Sequence, residues 1–193
     1  MKPYKMITLA AIMLAATGLR AQSNFTLSTY SIVINGTSNL HAWTEKVEKV
    51  SGAGEAKLNA DKSLSIQTLK VTVPVTSIVS TEGSIMNNKT YKALKSDKYP
   101  EITFVLAEPL PKIPAGSTAL SVTANGRLTI ASVTKSIAIP VKITLTDNKV
   151  VVEGTVLVKM SDYGLEAPTA LLGMLKTGDL QTIVFKTNFS VSN

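Results

Sequence analysis

At 193 residues, without cysteine and with a formal charge of +7, the chain is sized for one domain and excludes disulfides, thiolate metal sites and a catalytic cysteine. Its single histidine forces any Ser-His-Asp set through His41 and rules out a zinc site built from several histidines. Aromatics are few and the lysines are scattered among acids, which argues against the basic, stacking surface of a nucleic-acid binder.

Residues 1–21 form a segment of their own. Lys2 and Lys5 precede an apolar run from Met6 to Leu19, and the chain turns small and polar at Arg20-Ala21-Gln22-Ser23. A basic start, a short apolar stretch and a small residue predict a secretory signal peptide cleaved after Ala21. The run is shorter than the roughly 20 residues a spanning helix needs. Removal of Lys2, Lys5 and Arg20 leaves seventeen basic residues against thirteen acidic ones, about +4. With no cysteine to carry a lipid anchor, residues 22–193 are expected to be one soluble domain in a bacterial periplasm or secreted from a bacterium.

After the leader, period-two patterning predicts strands over roughly 24–35, 39–50, 53–59, 63–75, 101–107, 120–130, 133–145, 149–161 and 180–192. In the clearest, Leu120, Val122, Ala124, Gly126, Leu128 and Ile130 alternate with Ser121, Thr123, Asn125, Arg127 and Thr129. Turns fall at Asn35-Gly36, Asn59-Ala60-Asp61, Asp147-Asn148 and Thr177-Gly178-Asp179. Long antiparallel strands with short turns predict an all-β fold, a coiled barrel over a small sandwich. Pro140 is expected at a bulge or an edge, and Gly154 where its strand bends. Ser84 to Ser96 predicts a short helix capped by Ser84, and Leu171 to Leu175 a further helical turn. Glu108 to Ser117, with three prolines, predicts an extended loop.

The chemistry is sparse. Gly52-Ala53-Gly54 opens no helix and is no phosphate loop. Asp97, Glu101, Glu108, Asp162, Glu166 and Asp179 show no spacing of a catalytic dyad, so no catalytic residues, metal or cofactor are assigned. His41 and Trp43 share a strand face, where they either plug and rim a barrel or touch a ligand. Met86, Met160 and Met174 with Leu171, Leu172 and Leu175 form a second apolar group, adaptable in shape. Small interior candidates, Ala124, Gly126, Ala131 and Ala138, favour a cavity in a barrel of about eight strands.

Several segments resemble the YceI-like family. MNNKTYKALKSDKYPEITF (Met86 to Phe104) is similar to its short helix, Lys/Glu-rich turn and Tyr-Pro-x-Ile-x-Phe. GRLTIASVTKSIAIPVKI (Gly126 to Ile143) resembles its Gly-x-Leu-Thr-Ile, Thr-Lys, Pro-Val hairpin. VKMSDYGLEAP and LLGMLKTGDLQTIVF (Val158 to Phe185) resemble its late Ser-Asp-Tyr/Phe-Gly and Gly-Asp segments, and SNLHAW an early motif of exported members. Ser136 stands where many members carry proline. The resemblance implies an eight-stranded, lipocalin-like antiparallel barrel whose tunnel binds a polyisoprenoid or similar amphiphile without catalysis.

Residue type and position then select Tyr30, Ile32, Trp43, Phe104, Leu128, Met160, Tyr163, Leu172, Met174 and Phe185 as tunnel lining, with Tyr163 or His41 placed to meet a polar head group. The expected partner is a hydrophobic lipid and not nucleic acid, with transient membrane contact and homodimerisation left open. Two other readings compete. A structural or stress-related interaction barrel requires a side-chain-filled core, and a lipid-processing enzyme requires His41 or a carboxylate pair in the cavity.

Overall fold

The computed structural model describes residues 23–170 and 174–192. The expected leader, and Leu171 and Leu172 of the expected helical turn, lie outside the described residues. The strands are β1 (Ser23–Thr37), β2 (Ala42–Val47), β3 (Ser51–Leu58), β4 (Leu64–Pro74), β5 (Ile78–Ser80), β6 (Glu101–Leu106), β7 (Gly116–Ile130), β8 (Val133–Thr146), β9 (Lys149–Lys159), β10 (Thr169–Ala170), β11 (Leu175–Lys176) and β12 (Leu180–Ser192), with one helix α1 (Ser84–Ala93) between β5 and β6.

Eight strands close into an antiparallel barrel in the cyclic order β1-β12-β9-β8-β7-β6-β4-β3. Two walls are broken strands. β3 pairs with the first residues of β1 and β2 with its last, so β2 and β3 together make one side. β5 likewise continues β4 and pairs with β2. The single strand expected over 39–50 therefore ends at Val47, and His41 precedes β2 in a turn instead of sharing its face with Trp43. In that turn Ser38 Oγ accepts from the amides of Leu40 and His41, a local alternative to ladder bonds.

Period two decides what faces inward. At the end holding the start of β1 and the end of β12, Phe25, Leu64, Ile66, Ile113, Ile143, Leu145, Val150 and Phe189 form a tight floor, all at or below 2% exposure. Phe25 and Phe189 stack there with ring centroids 4.4 Å apart and planes 11° from parallel. The 107–115 loop seals this floor, with reciprocal backbone bonds between Leu64 and Ile113, each 2.8 Å. Lys112 also reaches Asp61 at 2.6 Å, and with Ser63 it holds that carboxyl well below the usual carboxylate range.

Pro140 makes no bulge and stands at an edge, the second of the two expected places. It keeps its place opposite Thr123 on β7, and the ladder between β8 and β9 runs from the Thr146–Lys149 pair only as far as Val141 opposite Gly154. Beyond Pro140, whose nitrogen cannot donate, β8 and β9 part. The gap is wedged by residues after β9: Tyr163 is 5% exposed and packs with Ile130, Ala131, Val158 and Leu165, while Lys135 on β8 reaches Asp162 at 3.3 Å. Asp179 fixes the wedge, accepting from the Ser161 amide at 2.7 Å and its hydroxyl at 2.6 Å, contacts that lower its carboxyl from the ordinary value. Gly164 ends the wedge in a left-handed conformation at φ 63°, which glycine adopts without steric penalty.

The helix begins at Ser84 as expected but ends at Ala93, and its N-cap is not Ser84. Gly83, at φ 95°, is the N-cap, and Ser84 is the first helical residue. The first-turn amides of Met86 and Asn87 bond the Gly83 carbonyl, and Asn87 Oδ1 takes the Ser80 amide at 2.7 Å, tying α1 to β5. Leu175, expected in a helical turn, instead pairs with Ala170 in the β10–β11 hairpin. Ala138 faces outward, because its neighbours Ile137 and Ile139 hold the inward positions.

Candidate ligand-binding site

Between the floor and α1 the barrel leaves an apolar lumen of about 310 Å³, at the small end of the range for ligand pockets. Its walls are inward residues from every barrel strand but β3: Leu27, Ile32 and Ile34 of β1, Leu69 and Val71 of β4, Phe104 of β6, Ala124 and Leu128 of β7, Ile139 of β8, Val152 and Val156 of β9, and Ile183 and Phe185 of β12. The helix roofs it with Met86, Lys89, Thr90, Ala93 and Leu94, the i, i+3, i+4, i+7, i+8 stripe of one helical face. No residue of α1 is buried. A face turned toward the barrel yet incompletely covered is what a roof over open space looks like.

Three inward aromatics shape the lumen by lying across glycines of neighbouring strands. A Cβ on Gly36 would collide with the Trp43 indole, and one on Gly126 with the Phe104 ring. At Gly154 it would stand 2.6 Å from Phe185 Cζ and 3.0 Å from the Pro140 carbonyl. Each missing side chain lets a ring fold flat against the wall. Gly154→Ala is thus expected to destabilise the fold by about 1–3 kcal/mol, the range for overpacking, measured by urea unfolding. An unchanged midpoint would show that Phe185 moves away freely.

The roofed end differs from the floor in chemistry. Glu45 follows Trp43 by two residues on β2, so it too points inward, and it is 3% exposed. Thr90 of α1 donates to Glu45 Oε1 at 2.5 Å. Burial raises the Glu45 pKa above its ordinary value, and nearby Glu82 adds to this against the Thr90 hydrogen bond. Gln181, the first inward residue of β12, is 6% exposed. Its Nε2 donates to the Gly178 carbonyl at 2.8 Å, while its buried Oε1 has no hydrogen-bond partner among the described residues. That oxygen lies over Gly36 against the Trp43 ring, whose Nε1 donates to the Thr37 carbonyl at 3.1 Å.

The raised pKa has a definite sign. The folded protein holds the Glu45 proton more tightly than the unfolded chain, so stability falls as pH rises above about 4.5 through the folded value. Glu45→Gln is expected to remove this slope and raise the melting temperature at pH 7 by ~2–4 °C, the shift that about 1 kcal/mol produces in a domain of this size. Thermal melts of both proteins between pH 4.5 and 7.5 test it; parallel profiles would show that Glu45 is solvated.

Of the residues singled out by sequence, Ile32, Trp43, Phe104, Leu128, Met160 and Phe185 line the lumen, as does Met86. Tyr30 does not: its hydroxyl donates to the Glu48 carbonyl at 2.8 Å, where β2 breaks from β3. His41 sits outside, its Nδ1 2.8 Å from the Ala42 carbonyl and 3.5 Å from Glu82. Tyr163 serves as the wedge in the β8–β9 gap, and burial raises its phenol pKa. Met174 is 74% exposed, and Leu172 lies outside the described residues. Glu45 and Gln181 went unnoticed in the sequence, although each lies two residues from an inward apolar neighbour, Trp43 or Val47 and Ile183. A second depression, of about 820 Å³, lies around Pro140 and Gly154. Its lining mixes charged Lys142, Glu153 and Lys186 with Val33, Val122 and Val184, which makes it a weaker candidate than the almost wholly apolar lumen.

The YceI-like domain family matches over residues 18–189. A polyisoprenoid-binding domain from Saccharophagus degradans implicated in plant cell wall breakdown superposes with a TM-score of 0.68 at 14% identity, covering 86% of this chain and 97% of that one. BcnA of Burkholderia cenocepacia gives 0.60 at 20% identity, covering 82% and 95%. The YCEI protein of Campylobacter jejuni gives 0.56 at 21% identity, covering 75% and 83%. At these identities the likeness shows the fold. No curated protein matches the chain.

Proposed function

This chain belongs to the YceI-like domain family, and from that premise we propose that it is an exported, non-catalytic protein that holds a long apolar amphiphile in its barrel. The ligand class is a polyisoprenoid, an isoprenoid quinone or a similar lipid. The observation that carries this reading is the lumen itself, about 310 Å³ walled by aliphatic and aromatic side chains from seven of the eight barrel strands. A side-chain-filled barrel would have closed that space. The polyisoprenoid-binding domain from Saccharophagus degradans, sharing the fold, supports the ligand class.

The energetics require little beyond the bore. Burying a methylene contributes about 0.8 kcal/mol, so each five-carbon unit contributes roughly 3–4 kcal/mol. A few units offset the cost of association, about 4–15 kcal/mol. His41 lies outside the lumen, and Glu45 stands in it without a second carboxylate among the described lining residues, which supports holding over chemistry. The lipid is the bound group, with no cofactor besides. The leader-like residues 1–21 support a periplasmic or secreted location. Loading from a bilayer makes transient membrane contact part of this reading.

Native mass spectrometry of the mature protein from a bacterial host, followed by organic extraction, tests it. An isoprenoid or quinone at one per chain is the expected result, and the same spectrum reads monomer or dimer. Protein that is ligand-free and takes up no added prenol or quinone overturns the proposal.

A further inference from the structure

Glu45 and Gln181 each bring a side-chain oxygen to the roofed end of the lumen. Glu45 Oε1 takes the Thr90 hydroxyl, and its carboxyl lines the lumen. Gln181 Oε1 is buried and unpaired among the described residues. Both side chains line the roofed end of a lumen that is otherwise almost wholly apolar, and both are more than nine-tenths buried. Unpaired buried acceptors are costly, and a site that leaves them open discriminates strongly for a partner supplying the missing donor.

We propose that this end is a head-group subsite selecting an uncharged, hydroxyl-bearing lipid, an alcohol or a phenol, whose O–H donates to the Glu45 carboxyl beside Trp43 and Gln181. The inference rests on the lipid-holding reading and deepens it. A phosphorylated head fits poorly. It carries about −1.5 to −2 charges, offers acceptors to acceptors, and would be desolvated beside a carboxyl. Phosphate sites favour arginine forks, and Arg127, the arginine among the described residues, is exposed on the outer face of β7. Lys89 lines the same end from α1, but one ammonium at an end that also carries the Glu45 carboxyl is a poor match for a dianion. That same ammonium disfavours a cationic amine head.

Trp43 is the one tryptophan of the chain and lies in the subsite, so its fluorescence reports binding. The mature protein is titrated with geranylgeraniol, geranylgeranyl phosphate, geranylgeranylamine and a headless hydrocarbon of equal length. The alcohol is expected to bind about tenfold tighter than each of the others, the worth of one hydrogen bond of about 1.4 kcal/mol. Glu45→Leu is expected to bring the alcohol to the hydrocarbon's affinity, and Glu45→Gln, which keeps an acceptor, to preserve most of the preference. Equal affinities for all four ligands, or tighter binding of the phosphate or the amine, overturn the head-group inference and leave the lipid-holding reading standing. No binding of any of the four overturns that reading itself. The wild-type selectivity decides the matter even if a variant fails to fold.

Discussion

Truncating Phe25 to alanine is expected to cost about 3–5 kcal/mol, the range for removing a buried aromatic. Phe25 is fully buried, sits opposite Val191 on β12 and Gly54 on β3, and stacks on Phe189 at 4.4 Å. The loss combines transfer of the ring, a cavity between two walls and the stacking term of about 0.5–1.5 kcal/mol. Domains are stable by about 5–15 kcal/mol in all, so the variant would be near its folding threshold at 37 °C. Guanidinium unfolding of both proteins measures the difference. A loss below 1 kcal/mol would mean that the floor collapses around the gap and does not depend on the stacked pair.

Filling the bore at Ala124 is expected to abolish lipid binding while leaving the barrel folded. Ala124 is inward on β7, opposite Ile139 and two residues before Gly126, over which the Phe104 ring lies. A phenyl group there crosses the lumen between floor and roof. Every methylene kept out forfeits about 0.8 kcal/mol, so excluding even four lowers affinity by about two orders of magnitude. The ring enters space that is already open, so the stability cost should stay within the ~1–3 kcal/mol of ordinary overpacking. Ala124→Phe is therefore expected to keep its circular dichroism spectrum and lose at least about a hundredfold in geranylgeraniol affinity. Unchanged affinity would place the ligand elsewhere than the lumen.

The barrel was legible in the sequence because period two survives in almost every wall. Leu120 to Ile130 alternates as written, and the aromatic lumen residues Phe104 and Phe185 sit on inward positions of strongly patterned strands. Two kinds of feature were not legible. The break of β2 from β3 at Glu48–Val50 and the parting of β8 from β9 depend on which strand lies alongside, and no local pattern carries that. Ala138 was counted as interior by its size, but register alone, with Ile139 inward, turns it to solvent. Glu45 was not singled out, although alternation from Trp43 to Val47 was the signal that it is enclosed. Gln181 is similar, a polar residue ahead of Ile183 and Phe185 on the same face. Tyr163 was chosen by type as ligand lining, and its place in the gap follows from Pro140, twenty-three positions earlier in the chain.

The parted strands give the barrel the mechanics of a slotted tube. A hooped cylinder resists a change of bore because widening it must break bonds around its circumference. Here the hoop is laddered between β8 and β9 at Val141–Thr146 and absent beyond Pro140, where, among the described residues, the Tyr163 wedge and the Lys135–Asp162 pair bridge the slot. The bore can dilate toward the roof without sacrificing a single β8–β9 ladder bond, while across this seam its floor keeps a fixed calibre. One end is a gauge and the other a spring clip.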